Sequence, residues 1–316
     1  MPSVIWVSDT DYDAVSTVAD SAYEGRRGFL KPERFEWAYQ RAFSAETFFI
    51  QLMDEDRIVG HSAIISQQLG SDGAPRKVAQ MADLFLMKPY QNFRNVHAMY
   101  TKMQSVLDEG VYDVVLTMPN ARSIRLNQRF LGLSELRRLR FRGGFVRPKL
   151  RAGTGRSYPA EDLSLRQLAD ILEPFLRENP KDEIVWSPDV LAQRLQPPNH
   201  KPESSPITVH VGSNVALITS RNTYRGIVYT LVWGILSDQD EADPNEVQYL
   251  LRLAARYYLN TIFVYAGWND RAALTTLGRP LPEKLRPSPL IVQGGAFDGL
   301  PAPDLKRYEL IDFDFA

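Results

Sequence analysis

The stretch of residues 81–133 constrains the fold more than any other part of this chain. A short apolar run at 81–87 is stopped by Pro89, which predicts a strand. Apolar residues then recur at three- and four-residue spacing, which predicts an amphipathic helix from about 96 to 109. A second apolar run at 113–117 follows. A strand, a helix and a strand in about thirty-five residues form a βαβ crossover, so the two strands are expected to be parallel.

The residues before this crossover predict more strands of the same sheet, with two helices among them. These elements are, in order, a strand at 4–7, a helix from about Tyr12, a helix after Pro32, and strands at 48–53, 58–66 and 81–87. The expected fold class is therefore α/β, in the form of an α+β mixed sheet.

The letters around Pro89 resemble the central motif of the GNAT acyltransferase superfamily. There a proline is followed by Arg-Gly-x-Gly-x-Gly or Ala and then by a helix, and residues 89–98 fill this frame without a gap. Side chains stand where the family has an arginine and three glycines, and Arg94 supplies the basic group; these positions are Asn92, Phe93, Asn95 and His97. Pro119-Asn120 and the residues up to Gly132-Leu133 resemble the family's next helix, in which Asn127 stands where a tyrosine often protonates the leaving thiolate.

The resemblance implies that acetyl-CoA or another acyl-CoA binds as co-substrate. The backbone of residues 86–88 would pair with the pantetheine arm, while Arg94, Asn95 and the helix start would meet the phosphates. The expected donor-binding residues are Phe85, Leu86, Met87, Lys88, Asn92, Phe93, Arg94, Asn95, Val96, His97 and Asn120.

Three further residues are candidates for catalysis and acceptor binding. Asp83 is the only carboxylate on the central strand, and alternation places it on one face with Phe85 and Met87. An acid there resembles the superfamily's general base, although Asp83 could instead cap a loop or pair with an arginine. Trp37 and Tyr39 resemble an aromatic pair that walls the acceptor site in bacterial tandem members; the alternative is that both are core anchors.

Composition narrows the remaining classes of function. The 316 residues contain no cysteine, which excludes disulfides, thiolate metal sites and a cysteine nucleophile. The four histidines lack a metal-ligand spacing, so no metal is expected. A net charge of −1 gives no global reason to bind nucleic acid or an anionic membrane. No apolar run approaches a membrane span and no secretory signal is recognisable, so the expected location is cytoplasmic.

The second half of the chain looks like a repeat of the first. Sliding it by 148 residues brings 261–265 onto 113–117 and the helix at 246–258 onto 98–110. A Pro- and Gly-containing stretch at 148–159 reads as a linker. The expected domains are therefore 1–150, with the donor site, and 151–316, a degenerate second GNAT-like domain whose acidic stretch at 237–244 would repel a pyrophosphate.

Between these halves, residues 136–142 alternate apolar and basic side chains, which predicts either a final strand of the first sheet or a local anion site. In the second half, the patterns predict helices at 165–177 and 190–195 and a hairpin around Asn222. Residues 307–315 resemble the last strand of bacterial two-domain members.

The tandem resemblance implies an N-acyltransferase that moves an acyl group from a coenzyme A thioester to an amine of a small molecule or sugar, with the second half shaping the acceptor cleft. Two alternatives stay open. One is a non-catalytic GNAT-like binding or scaffold protein, which the missing glycines and Asn127 favour. The other is a transferase that uses an aminoacyl-tRNA or a carrier-protein thioester. The sequence names neither the acceptor, the acyl chain nor the oligomeric state.

Overall fold

The computed structural model of the chain divides into two compact units. The first unit comprises Met1–Arg137 with Leu290–Asp304, and the second comprises Arg138–Pro289 with Leu305–Phe315. The structure describes residues 2–24, 30–43, 46–109, 112–147, 155–178, 180–198, 204–285, 290–297 and 299–313. Each unit thus combines a long stretch of chain with a short segment that is distant in sequence.

The first unit is built on a seven-stranded mixed sheet of order β1-β2-β3-β4-β5-β14-β6. Its strands are β1 (Ser3–Val7), β2 (Thr47–Asp54), β3 (Arg57–Leu69), β4 (Arg76–Leu86), β5 (Val114–Thr117), β6 (Ser134–Arg138) and β14 (Ile291–Ala296). Residues 78–81 of β4 pair in parallel with β5, which confirms the predicted crossover. β14 pairs with β5 in the antiparallel sense, so a strand from late in the sequence completes this sheet.

The first unit has four described α-helices, of which three begin at a capping side chain and one begins at a proline. They are α1 (Tyr12–Tyr23), α2 (Pro32–Gln40), α3 (Phe93–Asp108) and α4 (Ala121–Leu131). The side chains of Asp11, Asn92 and Asn120 accept hydrogen bonds from the first-turn N–H groups of α1, α3 and α4. Gly132 ends α4 in the left-handed conformation, with φ of 64°. The capping Asn92 explains why α3 begins at Phe93, before the predicted residue 96.

The second unit repeats this plan on an eight-stranded sheet of order β13-β7-β12-β11-β10-β9-β8, with β15 paired to β12. Its strands are β7 (Arg140–Phe145), β8 (Arg156–Pro159), β9 (Thr208–Val211), β10 (Ala216–Tyr224), β11 (Ile227–Leu236), β12 (Ile262–Asn269), β13 (Arg279–Pro280) and β15 (Arg307–Glu309). Its α-helices are α5 (Leu165–Leu172), α6 (Pro188–Arg194) and α7 (Pro244–Tyr257). β11 and β12 are parallel and α7 connects them, which confirms the predicted duplication.

The prediction of one strand at 136–142 is wrong, because this segment divides between the two sheets. β6 lies beside β14 in the first sheet, whereas β7 pairs with β12 in the second. Gly143 and Gly144 permit the close packing of β7, since a Cβ at either position would lie within 2.8 Å of the side chain of Leu281 or Phe263. Alternation predicted the extended conformation but carries no information about which neighbour a strand pairs with.

Other boundaries also differ from the sequence predictions. Residues 156–159 of the expected linker form strand β8, and residues 148–154 lie outside the described part of the chain. The turn of the second hairpin falls at Arg225 and Gly226, which both have positive φ, and not at Asn222. Helix α5 ends at Leu172 because Pro174 follows within a 3-10 turn. The division into domains 1–150 and 151–316 stays a prediction beside the compact units given above.

Candidate active site

A β-bulge in β4 places Asp83 just beyond the last residue of this central strand that pairs with β5. Phe85 pairs with His61 and Ala82 pairs with Ala63, so Asp83 and Leu84 together oppose Ser62. Asp83 has φ of 54°, a conformation that is costly for a residue with a Cβ. The other described non-glycine residues with positive φ lie in turns or at helix ends. A bulge with a strained carboxylate inside a strand is typical of a functional site.

Beyond the bulge, β4 has no strand partner on the side of β5. The parallel pairing ends at Met81 and Thr117, while β4 continues to Leu86. Among the described residues no other strand pairs with this edge, and residues 82–84 are half-buried. We call this gap between β4 and β5 the first wedge. The backbone along such an edge can accept an extended ligand in the way a sheet accepts another strand.

Asp83 is held by aromatic and polar side chains beneath the sheet. The hydroxyl of Tyr39 donates to Asp83 Oδ2 at 2.7 Å, and Nε2 of His61 lies 3.3 Å from the same hydroxyl. Tyr39 and His61 are both fully buried. The regular alternation that placed Asp83 and Phe85 on one face is broken by the bulge, yet both residues still contact the Tyr39–His61 pair.

The aromatic residues predicted at the acceptor site lie in the interior. Trp37 is 3% exposed and packs beneath the guanidinium of Arg34, 5.4 Å from its ring centre. Tyr39 stacks on Phe35 at 5.8 Å. This arrangement corresponds to core anchors, and Tyr39 reaches the site only through its bond to Asp83. Their role toward an acceptor stays a prediction.

The strand end after the bulge presents backbone groups, because its side chains are turned into the core. The Phe85 ring packs against His61 at 5.3 Å, and Leu86 and Met87 are buried. The N–H of Met87 donates to Val59 on β3, whereas the carbonyl of Leu86 accepts a bond of 2.8 Å from Nε2 of Gln91. The remaining predicted residue here, Lys88, forms an ion pair with Glu24.

The turn before α3 satisfies most of its own N–H groups. Five of the seven N–H groups from Tyr90 to Val96 donate to oxygens of the same turn: those of residues 90, 91, 92 and 96 to backbone carbonyls, and that of Asn95 to Asn92 Oδ1. The side chain of Asn95 donates in turn to the Tyr90 carbonyl. A phosphate bound here by backbone alone would have to displace these bonds. Side-chain cations are therefore the more available phosphate partners.

Cationic and aromatic side chains gather at the start of α3. Phe93 is 61% exposed and stacks with His97 at 5.8 Å. The guanidinium of Arg129 on α4 lies 5.8 Å from the Phe93 ring and 5.5 Å from that of Phe130. Arg94 is exposed beside them, and Val96 is half-buried. Arg129 could not be predicted from the sequence, because its proximity to Phe93 depends on how α4 packs against α3.

The asparagines of α4 have structural partners. Asn120 Oδ1 caps the helix by accepting from the N–H groups of Arg122 and Ser123. Asn127, in the place of the family's tyrosine, accepts from the hydroxyl of Tyr100 at 2.6 Å and donates to Gln293 of β14 at 3.1 Å. Burial raises the pKa of Tyr100 well above its usual range. These groups form a buried network, and no sequence pattern pointed to Gln293, because it lies 166 positions from Asn127.

The corresponding gap in the second unit, between β11 and β12, is filled by the chain itself. Parallel pairing ends at Val232 and Tyr265, and β15 then pairs with residues 267–269 of β12 on the β11 side. We call this gap the second wedge. Glu309 of β15 accepts from the N–H of Ile235 at 3.1 Å, from Tyr265 at 3.0 Å and from Asn269 at 3.2 Å. Burial raises the pKa of Glu309 to about 7.

Two kinds of feature are absent from the part of the chain that the structure describes. It contains no group of three or more His, Asp or Glu side chains that could hold a metal ion. None of its helices is long and apolar enough to cross a membrane.

Comparison with known proteins identifies the fold. No protein-family model and no curated protein matches the chain, but many solved structures do. A GCN5-related N-acetyltransferase from Anabaena variabilis has a TM-score of 0.62 at 12% identity, over 92% of this chain and 72% of the other. A tandem GNAT protein from the clavulanic acid biosynthesis pathway has a TM-score of 0.58 at 11% identity, over 95% and 100%.

The chain also resembles the solved structure of an acyltransferase that uses a longer acyl donor. N-myristoyltransferase of Saccharomyces cerevisiae, solved with bound myristoyl-CoA, has a TM-score of 0.55 at 13% identity, over 98% of this chain and 83% of the other. At such identities the likeness shows the fold alone. This chain has a mixed α/β GNAT fold in tandem, as the sequence predicted.

Proposed function

We propose that this protein is an N-acyltransferase that moves an acyl group, with acetyl as the first choice, from a coenzyme A thioester to an amine of a small molecule or sugar. The observation that carries the proposal is the first wedge, the side of β4 beyond Met81 along which no strand lies among the described residues, with Asp83 on the bulge at its entrance. An extended pantetheine arm has amide groups that match such an edge. The neighbours of the same fold include acetyltransferases and a protein solved with myristoyl-CoA.

The residues present offer two kinds of contact to coenzyme A, backbone groups for the pantetheine arm and side chains for the phosphates. The backbone of residues 82–87 would hold the pantetheine arm, with the Gln91 amide turned away from the Leu86 carbonyl. Arg94 and Arg129 would meet the phosphates through their side chains, because most N–H groups of the turn are already bonded. Phe93 and His97 offer aromatic faces beside them.

The chemistry assigned to this chain is proton transfer at Asp83. The amine nitrogen forms a bond to the thioester carbonyl carbon, the carbon–sulfur bond breaks, and the proton lost by the amine passes to the Asp83 carboxylate, directly or through water. The thiolate takes a proton from water, and Asp83 later returns its own to water, so protons balance. Asn127 cannot serve as the acid, because an amide does not donate a proton at neutral pH.

The test is release of free thiol from acetyl-CoA and longer acyl-CoA donors in the presence of a panel of amines. Asp83→Asn should lower kcat by about 10²- to 10⁴-fold, since a general base contributes that much, while the donor Kd stays unchanged. Asp238→Asn, at an exposed position of the second unit, is the matched control. Thiol release that is equal in Asp83→Asn and wild type would contradict the assignment of Asp83.

A non-catalytic GNAT-like binding protein is the second candidate, and a specific observation favours it. The turn at Tyr90–Val96 bonds internally, and the usual position of the acid is a buried amide in a structural network. This candidate predicts no thiol release with any donor. Absence of calorimetric heat and of a thermal shift with every acyl-CoA would favour it over the transferase.

A further inference from the structure

Two side chains beneath the bulge, those of Tyr39 and His61, form a hydrogen-bonded chain that leads to Asp83. Tyr39 is the middle member, 2.7 Å from Asp83 Oδ2 and 3.3 Å from His61 Nε2. Resting on the proposed function, we propose that Tyr39 and His61 are positioning residues, which hold the Asp83 carboxylate ready to accept the proton of the amine. Neither is exposed to solvent, so both would act on the reaction through Asp83.

The direction of each bond follows from the groups that make it. An ionised carboxylate only accepts, so the Tyr39 hydroxyl donates to Asp83. The Tyr39 oxygen then has no proton left and can only accept from His61, which places the imidazole proton on Nε2. Burial lowers the pKa of His61 to about 3, which keeps the ring neutral with a single proton. Nδ1 must therefore be the unprotonated nitrogen.

The other buried histidine among the described residues shows why this arrangement points to a role beyond packing. His210 of the second unit is also fully buried, but both its nitrogens have partners: Nδ1 lies 2.8 Å from Ser157 Oγ and Nε2 lies 2.9 Å from Thr219 Oγ1. His61 Nδ1 is buried without a hydrogen-bond partner among the described residues. A buried acceptor without a donor costs stability. A leucine would fill the same space without this cost, so retention of His61 is explained by its bond to Tyr39.

The rings around this chain fix its geometry. His61 stacks on Phe85 at 5.3 Å with 29° between the planes, and lies 5.6 Å from Phe49. Tyr39 stacks on Phe35 at 5.8 Å with 27° between the planes. Donation from His61 polarises the Tyr39 hydroxyl and strengthens its bond to Asp83. Tyr39 thus orients the Asp83 carboxylate, while the bulge determines the backbone conformation of Asp83.

Steady-state kinetics with Tyr39→Phe provide the first test. We expect kcat to fall by about 10- to 100-fold because the carboxylate loses its orientation, while the donor Kd measured by calorimetry stays within about twofold of the wild-type value. A folded Tyr39→Phe variant with wild-type kcat would overturn the proposal.

Two replacements of His61 separate positioning from packing. His61→Gln keeps an N–H donor and His61→Leu does not, so the Gln variant should retain at least about fivefold more kcat. His210→Gln is the matched control and should leave kcat unchanged. Equal losses in the two His61 variants would show that His61 only packs, and this comparison also carries the test if Tyr39→Phe does not fold.

A spectroscopic measurement distinguishes failure of this inference from failure of the proposed function. The ¹⁵N shifts of His61 at neutral pH should show the Nε2–H tautomer, and this readout does not depend on activity. The Nδ1–H tautomer would overturn the inference even in an active enzyme. If the wild type transfers no acyl group, the proposed function fails and the positioning role fails with it, whereas an Nε2–H tautomer would still confirm the hydrogen-bonded chain as structure.

Discussion

The first and second wedges start from the same plan and end in opposite states. In each unit a parallel strand pair joined by a helix opens after a few residues, at Met81 in β4 and at Val232 in β11. Both central strands carry a bulge near this point. The first wedge has no further strand among the described residues, whereas the second contains β15 and the buried carboxylate of Glu309.

Under the proposed function, this difference means that the duplicated fold keeps one ligand site and closes the other. The N–H of Ile235 just after the bulge of β11 is a backbone group that an extended ligand could have used, and Glu309 occupies it. An occupied backbone edge cannot take a pantetheine arm unless β15 leaves. The donor is therefore expected only in the first unit, and the acidic stretch at 237–244 is not needed to explain its absence from the second.

The largest expected effect concerns the segment that fills the second wedge. Glu309→Ala removes the acceptor for Ile235, Tyr265 and Asn269 and leaves these buried donors unpaired. We expect the free energy of unfolding to fall by about 3–5 kcal/mol, measured by chemical denaturation. Glu309→Gln keeps one acceptor oxygen and should lose less. A loss below about 1 kcal/mol for Glu309→Ala would show that β15 does not hold the second wedge closed.

An intermediate effect concerns the two buried histidines. Burial lowers the pKa of both His61 and His210 to about 3, from 6.5 in the unfolded chain. A depressed pKa contributes stability that is present above pH 6.5 and is lost as the pH falls toward 3. When the pH falls from 7 to 4.5, each histidine should lower the free energy of unfolding by roughly 2–3 kcal/mol.

The check is to measure unfolding at both pH values in His210→Gln and in wild type. The variant should lose roughly 2–3 kcal/mol less than wild type between pH 7 and pH 4.5, whatever its absolute stability. Glu309 contributes in the opposite sense, because its raised pKa favours the folded state at low pH, and it is common to both proteins. An unchanged pH dependence would show that His210 is protonated in the folded state.

The smallest expected effect concerns the entrance of the first wedge. The side-chain amide of Gln91 donates a hydrogen bond to the Leu86 carbonyl. Under the proposed function, the donor arm has to replace this hydrogen bond with one of its own. Gln91→Ala should tighten acetyl-CoA binding by about fivefold, since one hydrogen bond of about 1 kcal/mol no longer has to be broken. Gln128→Ala, exposed on α4, is the control for calorimetry. Weaker donor binding in Gln91→Ala would show instead that Gln91 contacts the donor.

The sequence predicted what depends on local pattern and missed what depends on distant partners. Apolar spacing and Pro89 were enough to predict the crossover. The match of the two halves at a shift of 148 residues was enough to predict the duplication. Residues 307–309 of the predicted last strand form β15, but the pairing of β14 with β5 and of β15 with β12 could not be predicted, because pairing between segments distant in the sequence leaves no periodic signal. The same reason explains why Gln293 and Glu309 were missed.

The candidate site divides in the same way. Asp83 was predicted as a candidate because it is the single carboxylate of its strand, but its bulge and its buried partners Tyr39 and His61 follow from three-dimensional packing. The missing glycines at 92–97 correctly drew attention to the turn. Only the structure shows that this turn satisfies most of its own N–H groups.

Hydrogen–deuterium exchange with and without acetyl-CoA can show whether the donor binds in the first wedge and not in the second, because it reports on both wedges in one experiment. If the donor arm binds to β4, exchange should slow in residues 82–97 and stay unchanged in residues 233–238. Slower exchange in 233–238 without an effect on 82–97, or no change in either segment at saturating donor, would contradict the account.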